Sequence, residues 1–343
     1  MVTMKTRILN LFFILMLIAY ATPKKLYSMT NTKTMAYTET EAKALMLKHL
    51  PHLYFHADEK YFPTAIEDFN IDWSTVTLDD KDAEVDLNGY KGNTSLIQSV
   101  PVYTSILQND DGTTRISYLF LYAWNEKGPR GHIKAKVVGL GVDKSWTWGD
   151  YGLGLHYSDV EHIEVYLKSS GEVDYVIYSM HSFTAKVTIS GNNPKVYVAK
   201  GSHGSYSSTG LHTYLTVWDE DKKVLGKTVY DTHLKFEDVV DNNTKLWIST
   251  NPRLLKLNGA AVSDISNAEN YLAFKYSGRL GVRYTNTYWQ KLTDYAQVED
   301  IVKFVKKFSN SVGNKIEDKW NELRDSIEAE ATASRSFYGR SFW

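Results

Sequence analysis

The sharpest pattern in the chain is a two-residue alternation over 159–167. Asp159, Glu161, Ile163, Val165 and Leu167 fall on one side of an extended strand, and His162, Glu164 and Tyr166 on the other. The first row passes from two carboxylates into three aliphatics, as an inner face does when its near end opens at a rim. Runs rich in β-branched and aromatic residues recur through the middle of the chain: TRISYLFLYAW (114–124), HIEVYL (162–167), VDYVIYSM (173–180), KVYVAK (195–200) and HTYLTVW (212–218). Gly, Asn, Ser and Asp separate them at short intervals, which predicts a mainly β fold with an antiparallel β-sandwich-like core. Ser169-Ser170-Gly171 predicts a three-residue hairpin loop with Gly171 in the left-handed position. That register sets Leu167 opposite Val173 and, counted back, Glu161 opposite Ser179 and Asp159 opposite His181.

The period changes to 3.6 at both ends. Thr38 and Glu41 fit a capping box, Ala42, Leu45, Met46 and Leu50 keep helical spacing, and Pro51 ends the run. Near the C-terminus, Val298, Ile301, Val302, Val305 and Phe308 form one apolar stripe, and Ile316, Trp320, Leu323 and Ile327 resume it beyond Gly313. These predict an N-terminal helix and C-terminal amphipathic helices, which either pack on the sheet or dock on a membrane or partner. The expected organisation is a sandwich-like domain over 38–290 and a helical extension over 291–343.

The first residues carry a different signal. Lys5 and Arg7 precede an apolar run over 8–18, followed by Ala19-Tyr20-Ala21, the pattern of a cleaved signal peptide spanning 1–21. A polar stretch over 22–37 is expected to be a disordered leader. The apolar run is shorter than the roughly 20 residues of a membrane span, and no later segment is long or apolar enough. The expectation is a secreted or lumenal protein (vacuole or endomembrane) with no transmembrane span after signal removal. The chain has no cysteine, so disulfides, thiol catalysis and zinc–thiolate sites are excluded. A net charge of −1 gives no support to a nucleic-acid partner. Sequons stand at Asn93 and Asn242.

The candidate chemistry gathers where the alternation begins. His156, Asp159, Glu161 and the cross-strand His181 form a plausible shell for a divalent metal ion, zinc or manganese if nitrogen contributes, magnesium or calcium if oxygen dominates. The same groups suit general acid–base work, or a satisfied, inert His–carboxylate network. A second cluster, AKGSHGSYSSTGLH (199–212), leaves a strand end with His203, Ser205, Tyr206 and His212. With His162, these are the candidate ligand-binding residues, since polar loops at strand ends often bind ligands.

Several of these segments resemble the vacuolar protein sorting-associated protein 62 family over about 48–281. HLPHLYFHADEKYFPTAIEDF (49–69) is similar to its opening motif, SYLFLYAWN (117–125) to its aromatic strand, and HYSDVEHIEVYL (156–167) to its Gly-Asp-Trp-Glu-His strand. YSMHS (178–182), PKVYVAKGSHGSY (194–206) and YSGRLG (276–281) resemble later motifs. Val160 and Leu280 replace motif tryptophans, Ser158 replaces a glycine, and residues 131–145 look inserted. A shorter likeness, one motif long, is to the necrosis- and ethylene-inducing-peptide-like cytolysins. It implies a divalent ion held by His156, Asp159 and Glu161, with Asp150 as a fourth ligand, and binding to sugar headgroups on membranes. The resulting expectation is an exported protein that binds a sugar or lipid headgroup through a His/carboxylate pocket. A metal-dependent hydrolase of a phosphoester or glycan, and a sorting factor without catalysis, remain the alternatives.

Overall fold

β4 (Thr114–Asn125) and β7 (His156–Leu167) form the longest ladder of the central sheet, antiparallel from Thr114 opposite Leu167 to Asn125 opposite His156. In a computed structural model, the described residues are 36–77, 84–126, 130–137, 142–148, 156–180, 183–224, 227–262, 279–280, 314 and 318. With β3 (Tyr103–Gln108), β8 (Val173–Met180), β9 (Phe183–Val187), β15 (Arg253–Leu257) and β16 (Ala260–Ala261), the pair builds a seven-stranded sheet of order β16-β15-β3-β4-β7-β8-β9. β4 reads as a continuous apolar run because both its faces are covered. Ile116, Tyr118, Phe120 and Tyr122 enter one core with Ile163, Val165, Val176 and Tyr178. Leu119, Leu121 and Ala123 enter a second core with Val160, capped by Ile66, Phe69, Trp73 and Leu87.

The first core is closed by a four-stranded sheet of order β11-β10-β1-β14, made of β11 (Ser205–Tyr206), β10 (Lys195–Val198), β1 (His52–His56) and β14 (Asn243–Trp247). Leu53, Phe55, Val196, Val198 and Trp247 lie in the same core as the central-sheet residues, so the expected mainly β fold is present, with two sheets sharing one core. It is not purely antiparallel: β1 runs parallel to β10, and β15 parallel to β3. Both pairs join strands far apart in sequence, where no tight hairpin dictates the direction. Helix α1 (Glu39–Lys48) begins with the expected capping box, Glu41 N–H to Thr38 Oγ1 and Thr38 N–H to Glu41 Oε2. Ala42 and Met46 are buried, and the Tyr118 hydroxyl donates to the Met46 carbonyl at 2.8 Å. No helix among the described residues is long and apolar enough to cross a membrane.

A third sheet has the order β12-β13-β5-β6, from β12 (Gly210–Val224), β13 (Lys227–Val240), β5 (Arg130–Val137) and β6 (Val142–Trp148). The stretch that looked inserted in the sequence is therefore two strands added to the β12–β13 hairpin. A small parallel pair joins β2 (Glu84–Val85) to β17 (Arg279–Leu280).

The β7–β8 hairpin forms as expected at its tip. Gly171 has φ +79°, Lys168 N–H reaches the Glu172 carbonyl at 2.9 Å, and Leu167 faces Val173. The inward count fails one step later. A bulge between Tyr166 and Leu167 pairs Tyr166 with Tyr175 and shifts the ladder, which runs to Ile163 opposite Tyr178. One extra residue exchanges the faces. Glu161 therefore shares parity with Met180 rather than Ser179, and the ladder does not set Asp159 opposite His181. Asp150, His181, the expected signal peptide and the C-terminal stripe from Val298 to Ile327 lie outside the described residues.

Candidate functional site

Buried acids collect along the first half of β7. Asp159 and Glu161 sit on β7, 1% and 5% exposed, opposite Tyr122 and Phe120 of β4. Glu59, 4% exposed, follows β1. The loop between β10 and β11 brings His203 into their midst. That loop is a closed turn: Ala199 N–H to the Gly204 carbonyl at 2.9 Å, His203 N–H to the Ala199 carbonyl at 3.1 Å. Gly201 donates its N–H to Glu59 Oε2 at 2.7 Å, and Glu59 Oε1 accepts from the N–H groups of Lys60 and Tyr61. His203 itself has φ +58°, a conformation that non-glycine residues adopt only where surroundings enforce it.

The enforcing contacts are those of the ring. The His203 imidazole is fully buried and lies flat on Tyr122, centroids 3.9 Å apart and planes 2° apart. Its Nδ1 is 3.2 Å from Asp159 Oδ2, and its Nε2 is 3.9 Å from Glu59 Oε1. The first distance fits a hydrogen bond and the second does not. The Tyr122 phenol is held well above its ordinary pKa by burial first, then by Glu161, Asp159 and Glu59. All three acids therefore oppose ionisation of the same buried phenol. That hydroxyl and His203 Nε2 are buried without a hydrogen-bond partner. Such orphans are rare in folded proteins and each has a cost.

A fourth buried acid adjoins the first group. Asp238 of β13 accepts from Ser202 Oγ at 2.9 Å and from the Tyr206 hydroxyl at 2.8 Å. Glycine at 204 eases this approach, since a Cβ there would lie 3.0 Å from Asp238 Oδ2 and 3.3 Å from Tyr206, and these neighbours would have to give way by a few tenths of an ångström. His212 stacks on Tyr206 at 4.3 Å, and its Nε2 is 2.9 Å from the Ser208 carbonyl.

Of the residues singled out in the sequence, Asp159 and Glu161 share the site, and His203 joins them in person. Tyr206 and His212 stand beside it, and Ser205 is buried next to Tyr206 on β11. His162 does not join. It alternates onto the opposite face of β7, with Val160 of the second core. His156 begins β7 opposite Asn125. Glu59, Tyr122, Ser202 and Asp238 were not singled out. Glu59 had a signal, the acid of the HADEKYFP segment, which the alternation argument could not connect to β7. Asp238 had none, because only the fold brings β13 to the loop.

The donor set is one nitrogen and several carboxylate oxygens, the chemistry of hard to borderline divalent cations. Among the described residues no three His, Asp or Glu side chains are grouped to hold one ion together. His203 occupies one Asp159 oxygen in this arrangement.

No family profile matches the chain, and no curated protein matches it. A solved structure similar to it is NLPPya in complex with glucosamine, at 14% identity over 73% of this chain and 88% of that one, with a TM-score of 0.31.

Proposed function

We propose that this protein binds a sugar or lipid headgroup at the acid-rich end of its sandwich, as a secreted or lumenal binding protein. The observation that carries the reading is the convergence of Glu59, Asp159, Glu161 and His203 on Tyr122, with two polar atoms there left unpartnered. Carboxylates accept hydrogen bonds from sugar hydroxyls, and an aromatic ring offers a flat apolar face to a pyranose. A ligand would claim the Tyr122 hydroxyl and His203 Nε2, which are unpartnered without one. Reaching them requires the His203 loop to lift from Tyr122. A divalent ion, if bound, would take Asp159 and Glu161, with His156, His181 and Asp150 as the further candidates, and would offset the repulsion between the acids.

Glu59, Tyr122, Asp159 and His203 lie in four separate segments that resemble motifs of the vacuolar protein sorting-associated protein 62 family. Those segments are distant in sequence and adjacent in space.

The experiment is a glycan and liposome array probed with wild type, Asp159→Ala and Glu161→Gln, with metal content measured on the purified protein. Glucosamine is a natural first probe, being the ligand of the solved neighbour. Binding lost in both variants supports the proposal. Absence of any hit, of co-purifying metal and of a chelator effect on melting would reduce the site to a structural network. That second reading is favoured by one observation, the complete burial of His203.

A further inference from the structure

The two sequons, Asn93-Thr94-Ser95 and Asn242-Asn243-Thr244, meet different surroundings in the fold. Asn93 is half-buried and tied in. Its Nδ2 donates to the Pro63 carbonyl at 2.7 Å, and its own carbonyl accepts the Phe62 N–H at 2.9 Å. Gly92 before it is packed on β4, where an added Cβ would lie 3.1 Å from the Ala123 Cβ. A sugar on Asn93 must find room at a nitrogen already bonded inside this loop.

Asn242 lies in the turn between β13 and β14, at φ +46°, with its side chain exposed. Asparagine tolerates that left-handed conformation better than most residues. The turn is anchored by groups other than this side chain. The Asn242 carbonyl accepts the Ala57 N–H at 3.0 Å, and Asp241 Oδ1 lies 3.2 Å from His56 Nε2. Asn243 Nδ2 donates to the Tyr54 carbonyl at 2.6 Å and to the Val198 carbonyl at 2.9 Å. A substituent on Asn242 Nδ2 displaces none of these bonds. Thr244, whose hydroxyl completes the sequon, is exposed as well.

Among the described residues β14 is an edge strand of its sheet, and Leu246 on it is 43% exposed. Open edges and exposed apolar side chains invite association between chains, and a bulky polar group at the head of β14 hinders it.

We propose that Asn242, and not Asn93, carries an N-linked glycan that shields the β14 edge. The inference rests on the secreted or lumenal reading, since the donor is an oligosaccharide on a polyprenyl diphosphate met in the lumen. In the transfer a bond forms between Asn242 Nδ2 and the sugar C1. The C1–O bond to diphosphate breaks, its electron pair leaving with the polyprenyl diphosphate, and an amide proton passes to a base of the transferase.

The test is secretion of the full chain from yeast, with glycosidase release in heavy-oxygen water and peptide mass spectrometry to locate the acceptor. Wild type should carry the glycan at Asn242. Asn242→Gln should lose it, as should Thr244→Ala, which keeps the asparagine, whereas Asn93→Gln should retain it. In both glycan-free variants the aggregated fraction in size-exclusion chromatography should rise several-fold over wild type. Secreted chain without a glycan, or with one at Asn93, overturns the inference and leaves the export reading standing. Chain held in the cytosol without a glycan overturns both. Aggregation unchanged from wild type in Asn242→Gln and Thr244→Ala overturns the shielding.

Discussion

Two tyrosines of one strand should respond oppositely to the same substitution. Tyr118 and Tyr122 both lie on β4, are fully buried and enter the same core. Tyr118 donates to the Met46 carbonyl at 2.8 Å, whereas the Tyr122 hydroxyl has no partner. In Tyr118→Phe, a buried carbonyl of helix α1 loses its side-chain donor, and stability should fall by about 1–2 kcal/mol. In Tyr122→Phe nothing bonded is lost, the ring still fits on His203, and an unsatisfied hydroxyl is removed. Desolvating such a group costs about 1–3 kcal/mol, so the variant should be as stable as wild type or more so by up to that amount. In a domain of this size that corresponds to roughly 2–4 °C in melting temperature per kcal/mol. Urea unfolding followed by tryptophan fluorescence, with unchanged m-value, would measure both. A loss of more than about 1 kcal/mol in Tyr122→Phe would refute the reasoning, because the hydroxyl would then have a solution partner. If sugar binding fell with it, that partner would be the ligand.

The phenols also fix the alkaline behaviour. Burial raises Tyr118 and Tyr122 well above their ordinary range and pushes Tyr178 and Tyr166 up to about 12. Unfolded tyrosine ionises near about 10, so stability from these groups is fully present below that pH and should decline between about 10 and 12; a flat melting temperature across that window would contradict the burial. Gly171→Ala should cost about 1 kcal/mol from backbone strain at φ +79° alone, since an added Cβ meets nothing within 4 Å; an equal loss for Ser170→Ala would point elsewhere. Gly204→Ala should disturb the Asp238–Tyr206 bond and lower stability by about 1–3 kcal/mol, as overpacking does, read by thermal melting.

Strands carry their own signature in this sequence, and the long ones were legible. VDYVIYSM coincides with β8, and the capping box at Thr38 is where the pattern puts it. The bulge at Tyr166 was not legible, because a single unpaired residue leaves the alternation of β7 untouched and changes only its partner. Pairing across the fold was invisible for a related reason. The acid–histidine cluster was found in halves, Asp159 with Glu161 on a strand and His203 in a loop. Their union depends on β1 lying between β10 and β14, which no local pattern encodes. Glu59 enters through those long-range pairings and Asp238 from β13 of another sheet, so the site's composition was beyond a reading by segments.

That placement of β1 also bears on the order of assembly. Leu53 pairs with Val196 on one side and Trp247 on the other. The β3–β4, β7–β8 and β12–β13 hairpins can close as soon as their own residues are made, whereas β1 must wait until residue 247 has left the ribosome. Contacts so distant close late and slowly. During that interval β1 is an unpaired strand with two open edges, a hazard for aggregation. Glu59 and the His203 loop meet only when the β1–β10 pair forms, so the acid-rich end would be among the last parts of the molecule to mature.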